Sequence, residues 1–137
     1  ALDVKEGDEV IIPSLTFVAD VNVVKLVGAL PVLADASDLD DWNMSLETIK
    51  EKVTNKTKAI IIVHYAGYPC KDILAISKFC NDKGIALIED VAHAPGASVD
   101  GKKCGTFGAI GCFSFFSNKN LSIGEGGMVS TMCPGLH

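Results

Sequence analysis

Apolar runs of strand length alternate along this chain with stretches whose apolar residues recur every three or four positions. "DEVIIP" (8–13) predicts a strand that Pro13 stops. Residues 17–28 predict a helix ending at Gly28, and "ALPVLAD" (29–35) predicts a second strand. Leu46, Ile49 and Val53 fall at helical spacing behind Ser45, a residue type suited to an N-cap. "TKAIIIVH" (57–64) is continuously apolar and β-branched, which predicts a strand covered on both faces. Ile73, Ile76, Phe79 and Cys80 share one face of a helix over 71–83, with Gly84 as its C-terminal stop. "IALIED" (85–90) predicts a further strand, followed by a glycine-punctuated loop. "AIGCFSFF" (109–116) predicts a last buried strand, after which "GEGG" (124–127) lets the chain turn back into "MVST".

This alternation predicts an α/β fold of three layers around a mainly parallel sheet. Ligands of such sheets gather beyond the carboxyl ends of the strands. Three chemically notable groups fall at those ends: His64, the pair Glu89–Asp90, and the segment after Phe116. Their position alone marks that edge as a candidate site.

Composition narrows the picture. The chain has 137 residues, 48% of them hydrophobic, enough for one domain with a real core and too apolar for a disordered segment. A net charge of −5 argues against nucleic acid as a partner, since neutralising phosphates takes clustered cations. No apolar run approaches the roughly 20 residues that span a bilayer, so no membrane partner is expected. The charged opening "ALDVKEGDEV" carries no signal-peptide pattern. The five cysteines are odd in number and lack C-x-x-C spacing, which predicts reduced thiols and a cytoplasmic protein. The chain opens in mid-phrase and its first methionine is Met44, so it is expected to be an internal piece of something longer.

The candidate chemistry centres on "FFSNKNLSIGEGG" (115–127), where one lysine, Lys119, sits between two asparagines ahead of a glycine cluster. Free lysine, with a pKa of about 10.4, is almost wholly protonated at neutral pH, and partial burial in an apolar pocket lowers that value. Such an amine is what Schiff-base chemistry with a carbonyl requires. Asp90, ending a hydrophobic strand, needs a cation or several donors if it lies at the edge of the core. A helix N-cap or a loop hydrogen bond would also satisfy it. A lysine for the aldehyde and a carboxylate for the ring nitrogen are together what pyridoxal phosphate needs. A metal site of His64, Asp90 and His93 is a competing expectation, although no H-E-x-x-H or Cys/His cluster supports it. The glycines at 101, 105, 108 and 111 do not spell a dinucleotide-binding fingerprint. A non-catalytic protein that keeps the fold is a further alternative.

Four phrases carry a resemblance: "GDEVIIPSLTFVADVNVVKLVGALPVLAD", "KAIIIVHYAG", "IEDVAHAPGA" and "GCFSFFSNKNLSIGEGGMVST", together spanning residues 7–131. In these the chain resembles the DegT/DnrJ/StrS family of pyridoxal-phosphate sugar aminotransferases. The resemblance implies the large-domain core of the aspartate-aminotransferase type (fold type I) and transfer of an amino group, with glutamate as donor, to a keto group on a nucleotide-linked sugar. It implies Lys119 as the Schiff-base and proton-shuttling lysine and Asp90 as partner of the pyridinium nitrogen. His93 is implied near the ring and its 3-hydroxyl, Ser114 as a donor to the cofactor phosphate, and Phe17 as the aromatic stacked on the ring. Phe17 as core filler and Ser114 as a strand hydroxyl bonded to backbone are the bland alternatives. The resemblance further implies that residues 1–137 are the central part of the large domain. An upstream phosphate loop and a C-terminal small domain would lie outside it, and the full-length parent would be a homodimer. A sugar dehydratase, in which histidine replaces the lysine, and a cyclitol aminotransferase are the related alternatives; Lys119 favours transamination.

Overall fold

The computed structural model describes residues 1–136. Its centre is a six-stranded sheet in the order β2-β1-β3-β4-β7-β8. The strands are β1 (Glu9–Pro13), β2 (Leu30–Ala34), β3 (Thr57–Val63), β4 (Ala86–Asp90), β7 (Ile110–Ser114) and β8 (Gly127–Ser130). The first five pair in parallel; β8 returns antiparallel to β7. Helices α1 (Ala19–Leu26), α2 (Leu46–Lys50) and α3 (Ile73–Lys83) complete the layers, as the alternating pattern implied.

Strand β3 is the clearest case of sequence dictating placement. Ala59 to Val63 are all buried, because their side chains alternate between two cores. Ile60 and Ile62 join Ile11, Leu87, Ile49, Ile73, Ile76 and Cys80 on the face covered by α2 and α3. Ala59 and Ile61 join Val10, Ile12 and Val24 on the face covered by α1. Ile49, Ile73 and Ile76 are fully buried, and each burial contributes about 1.5–3 kcal/mol. Ser45 caps α2 as expected: its hydroxyl accepts from Thr48 N, and the Thr48 hydroxyl accepts from Ser45 N. Helix α3 ends on Gly84 in the left-handed conformation.

Three expectations change. The helix expected over 17–28 is shorter, Ala19–Leu26, so Phe17 and Val18 stay in the loop after β1. The strand expected as buried over 109–116 spans only Ile110–Ser114 and is mostly half-buried. Its outer neighbour β8 is an exposed edge, which leaves that end of the sheet thinly covered. The backbone there packs tightly: a Cβ on Gly111 would lie 2.5 Å from Gly105 Cα, so only glycine fits. Finally, the glycine-punctuated loop contains a hairpin, β5 (Ser98–Val99) with β6 (Lys102–Lys103).

Candidate active site

Because β1, β3, β4 and β7 run in parallel, their carboxyl ends and following loops meet at one edge of the sheet. The β1 loop brings Thr16 and Phe17, the β3 loop Tyr65–Gly67, the β4 end Asp90 and His93, and the β7 end Ser114 and Lys119. A cavity of about 240 Å³ opens there, lined by Ala66, Ala92, His93, Asn118, Lys119 and Asn120. Lys119 is half-buried. Its amide donates to Phe116 O at 2.9 Å, closing the turn that carries the side chain. Both flanking asparagines line the cavity with it. The cavity is therefore polar, where the sequence suggested an apolar one.

His93 is held by the loop after β3. Ala66 N–H donates to its Nδ1 at 3.3 Å, and the Tyr65 ring meets it edge-on at 5.8 Å. In the neutral imidazole, a proton-free Nδ1 places the proton on Nε2. Ala66 takes the left-handed conformation, φ 53°, within the turn that makes this contact.

Asp90 is half-buried at the last position of β4, and its Oδ1 accepts from Ala92 N at 2.8 Å. The loop hydrogen bond that would satisfy a strand-end aspartate is thus present, and Oδ2 accepts none among the described residues. Behind it lies a residue that sequence reasoning missed. Asp20 is buried in the first turn of α1 and accepts from the Thr16 hydroxyl. Burial pushes its carboxyl up to about 6; Thr16 opposes the shift and the nearby charge of Asp90 adds to it. The available signal was the aspartate interrupting the apolar run "FVADVNVV".

Ser114 and Phe17 do not line the Lys119 cavity. Phe17 is 71% exposed, so it is no core filler. Ser114 Oγ accepts from Phe116 N at 3.4 Å, the local backbone bond of the bland alternative, and its own proton remains available to donate.

His64 and Glu89 were grouped with the site by position, and the structure removes them from it. Both are fully buried on the α2–α3 face. His64 Nδ1 accepts from Cys70 N at 3.0 Å, and its Nε2 lies 3.1 Å from Glu89 Oε2. Glu89 also accepts from the amides of Gly105, Phe107 and Gly108, each at 2.7 Å. Burial works against the Glu89 charge, but His64 and the amides outweigh it and hold the carboxyl below its ordinary range. With both ring nitrogens engaged, His64 is no metal ligand, and no cluster of three metal-ligating groups exists among the described residues. The expectation of a His64–Asp90–His93 metal site fails on that geometry.

Over residues 1–137 the chain matches the DegT/DnrJ/EryC1/StrS aminotransferase family. The chain belongs to this family. It is 50% identical over 131 residues to GDP-perosamine synthase of Escherichia coli O157:H7, covering 96% of this chain and 35% of that protein. The aminotransferase TlmJ of Streptoalloteichus hindustanus superposes with a TM-score of 0.94 at 41% identity, over 98% of this chain and 36% of that one. Spr1654 of Streptococcus pneumoniae in its PLP form gives 0.89 at 30% identity, over 99% and 38%. The fold is thus that of the fold type I PLP-dependent aminotransferases, and the family implies pyridoxal phosphate as cofactor. The chain spans about a third of the length of the curated relatives it matches.

The residues present fit the reactive end of that cofactor. An amine and an imidazole share one cavity, a carboxylate with a free oxygen stands two residues from its wall, and an exposed aromatic lies on an adjoining loop.

Proposed function

We propose that residues 1–137 are the central part of the large domain of a longer, homodimeric, cytoplasmic aminotransferase. It uses pyridoxal phosphate to move an amino group from glutamate to a keto group of a nucleotide-linked sugar. The observation that carries this reading is the placement of Lys119 and His93 in one cavity at the sheet edge where Asp90 ends β4. The relative that is half identical makes a GDP-linked sugar by its name, which supports a nucleotide-sugar substrate.

When bound, the cofactor supplies an electron sink that stabilises the carbanion left by loss of an α-proton. Lys119 Nζ would hold the cofactor and, once its amine is free, would take up and redeliver the α-proton. Asp90 Oδ2 would accept the pyridinium N–H and so favour the protonated ring nitrogen. His93, fixed by Ala66, presents a settled tautomer beside the amine. The Ser114 hydroxyl would donate a hydrogen bond to the phosphate, and Phe17 would cover a ring face. An upstream loop completes the phosphate cup and a small C-terminal domain closes the site, both outside this chain.

A dehydratase is disfavoured because Lys119 stands where its mechanism uses histidine. Exposed Leu26, Leu30, Leu33 and Leu39 support a chain that meets further protein, and no helix here is long and apolar enough to cross a membrane.

The test is mass spectrometry of the full-length protein after borohydride reduction. A pyridoxyl adduct on Lys119 is expected. An adduct on another lysine, or none in a cofactor-replete preparation, would end the assignment.

A further inference from the structure

A second cavity of about 470 Å³ adjoins the first and shares Ala66 with it. One wall is the loop Asp40–Asn43; the other is the turn Tyr65–Pro69, with Lys71 also in the lining. Trp42 is 54% exposed and Tyr68 74%, so two aromatic rings stand open to water. Edge-on contacts of 5.7 Å between Trp42 and Tyr65, and 5.8 Å between Tyr65 and His93, run as an unbroken row of rings toward the Lys119 cavity.

Both walls are fixed in advance. Buried Asn43 accepts from Tyr65 N at 3.0 Å and donates to Asp41 Oδ1 and Tyr68 O, each at 3.3 Å. Trp42 Nε1 donates to Leu39 O at 3.1 Å, which pins the indole. Groups already held in place lose little entropy when a ligand arrives. Two carboxylates face different fates here. Asp41 is engaged by Lys71 at 3.0 Å and by Asn43. The Asp40 carboxylate accepts no hydrogen bond among the described residues; only its amide is used, donating to Asp38 Oδ1.

An open indole face beside an unengaged carboxylate suits a flat heterocycle with adjacent N–H donors. Guanine offers N1–H and N2–H side by side, matching the two oxygens of an acceptor-only carboxylate. Uracil and thymine offer one N–H between two carbonyls, which the same carboxylate repels. Adenine sets its amino group beside a ring acceptor. We infer that this cleft holds the guanine of a guanosine-diphosphate-linked sugar, stacked on Trp42 and read by Asp40; the inference rests on the nucleotide-sugar reading above. The adjacency of the cavities puts the sugar end of such a substrate on the Lys119 side.

Trp42 is the single tryptophan of the 137 residues and so reports on the stack directly. The experiment titrates the full-length, cofactor-loaded protein with GDP, UDP and dTDP by calorimetry while following tryptophan emission. The difference between wild type and Trp42→Phe isolates residue 42. GDP should quench that signal and bind about ten-fold or more tightly than UDP or dTDP. Trp42→Ala should weaken GDP about ten-fold or more, as loss of a base–aromatic stack does, while Trp42→Phe keeps most of the affinity. Asp40→Ala should bring the GDP-to-UDP ratio toward one. Equal or tighter UDP or dTDP binding, unchanged GDP affinity in both alanine variants, or quenching by a neutral monosaccharide would each overturn the assignment. A pyridoxyl adduct on Lys119 without a Trp42-dependent GDP signal overturns the cleft alone. GDP quenching of Trp42 without that adduct upholds the cleft and overturns the aminotransferase.

Discussion

Glu89 and Asp90 are consecutive carboxylates on one strand, and the period-two alternation of β4 sends them to opposite faces of the sheet. On the α2–α3 face Glu89 is sealed, with four donors around its two oxygens. On the α1 face Asp90 is half-buried, with one backbone donor, one free oxygen and a buried acid, Asp20, close enough to feel its charge. The first arrangement spends every hydrogen-bonding site on the chain itself. The second leaves a site unspent at the edge where ligands gather. Neighbours of identical chemistry thus divide into a satisfied group and one with acceptor capacity to spare, and what divides them is the number of partners the fold has already supplied.

The sharpest way to break this contrast is to remove each carboxylate in turn. Glu89→Ala leaves His64 and three amides, two of them buried, without an acceptor, and loss of one member of a buried pair costs about 3–5 kcal/mol. Urea denaturation of the full-length protein should show that loss. Asp90→Ala should shift stability by less than about 1 kcal/mol while kcat/KM falls by roughly 10²–10³-fold, the scale of a deleted charge-stabilising group. If Asp90→Ala destabilises as much as Glu89→Ala, the division between them is wrong.

Much of this was legible in the sequence, and the illegible part has a common cause. The β3 run, the Ser45 cap and the Gly84 stop carry local signals, so they appear where expected. The common edge that carries Lys119, Asp90 and His93 was readable, because parallel strands put their following loops on one side of the sheet. Partner counts were not readable. His64 looks no less like a site residue than His93 until the faces are known, since strand position fixes an edge and not a side. The 109–116 run looks buried until its neighbour β8 proves to be an exposed edge. The hairpin Ser98–Lys103 was signalled and missed: Asp100–Gly101 is a two-residue turn with both φ positive, and "DG" between short extended pieces predicts it.

A second test uses pH, because Glu89 and Asp20 titrate in opposite senses. The folded-state value of Glu89 is depressed, so its contribution is present above the ordinary 4.5 and lost as pH falls through the lower folded value. Asp20 is raised from 3.8 to about 6, so the folded state holds its proton more tightly than the unfolded chain does. Its contribution is fully present below 3.8 and disappears as pH rises through about 6. Two pH units at about 1.4 kcal/mol each cap the swing near 3 kcal/mol. Asp20→Asn should therefore flatten the stability profile between about pH 4 and 7 and raise stability at pH 8 relative to wild type. A variant with the wild-type slope would show that Asp20 ionises freely and that the α1 face is no more costly to charge than bulk water.

The smallest expected effect asks whether Thr16 acts through Asp20 or only through its own loop. Its hydroxyl is the side-chain donor to the Asp20 carboxylate, and it opposes the upward shift caused by burial. Thr16→Val keeps the shape and removes the donor. A hydrogen bond to a charged group contributes about 1.5–3 kcal/mol and one to a neutral group nearer 1, so the loss should be larger at pH 8 than at pH 5. A cycle with Asp20→Asn separates the two roles, because residues in direct contact couple and independent ones add. Coupling that grows from pH 5 to pH 8 means the hydroxyl serves the ionised acid beside Asp90. A pH-independent cost that adds to that of Asp20→Asn would confine Thr16 to shaping the β1 loop, and would leave the second carboxylate on this face with no partner that tunes it.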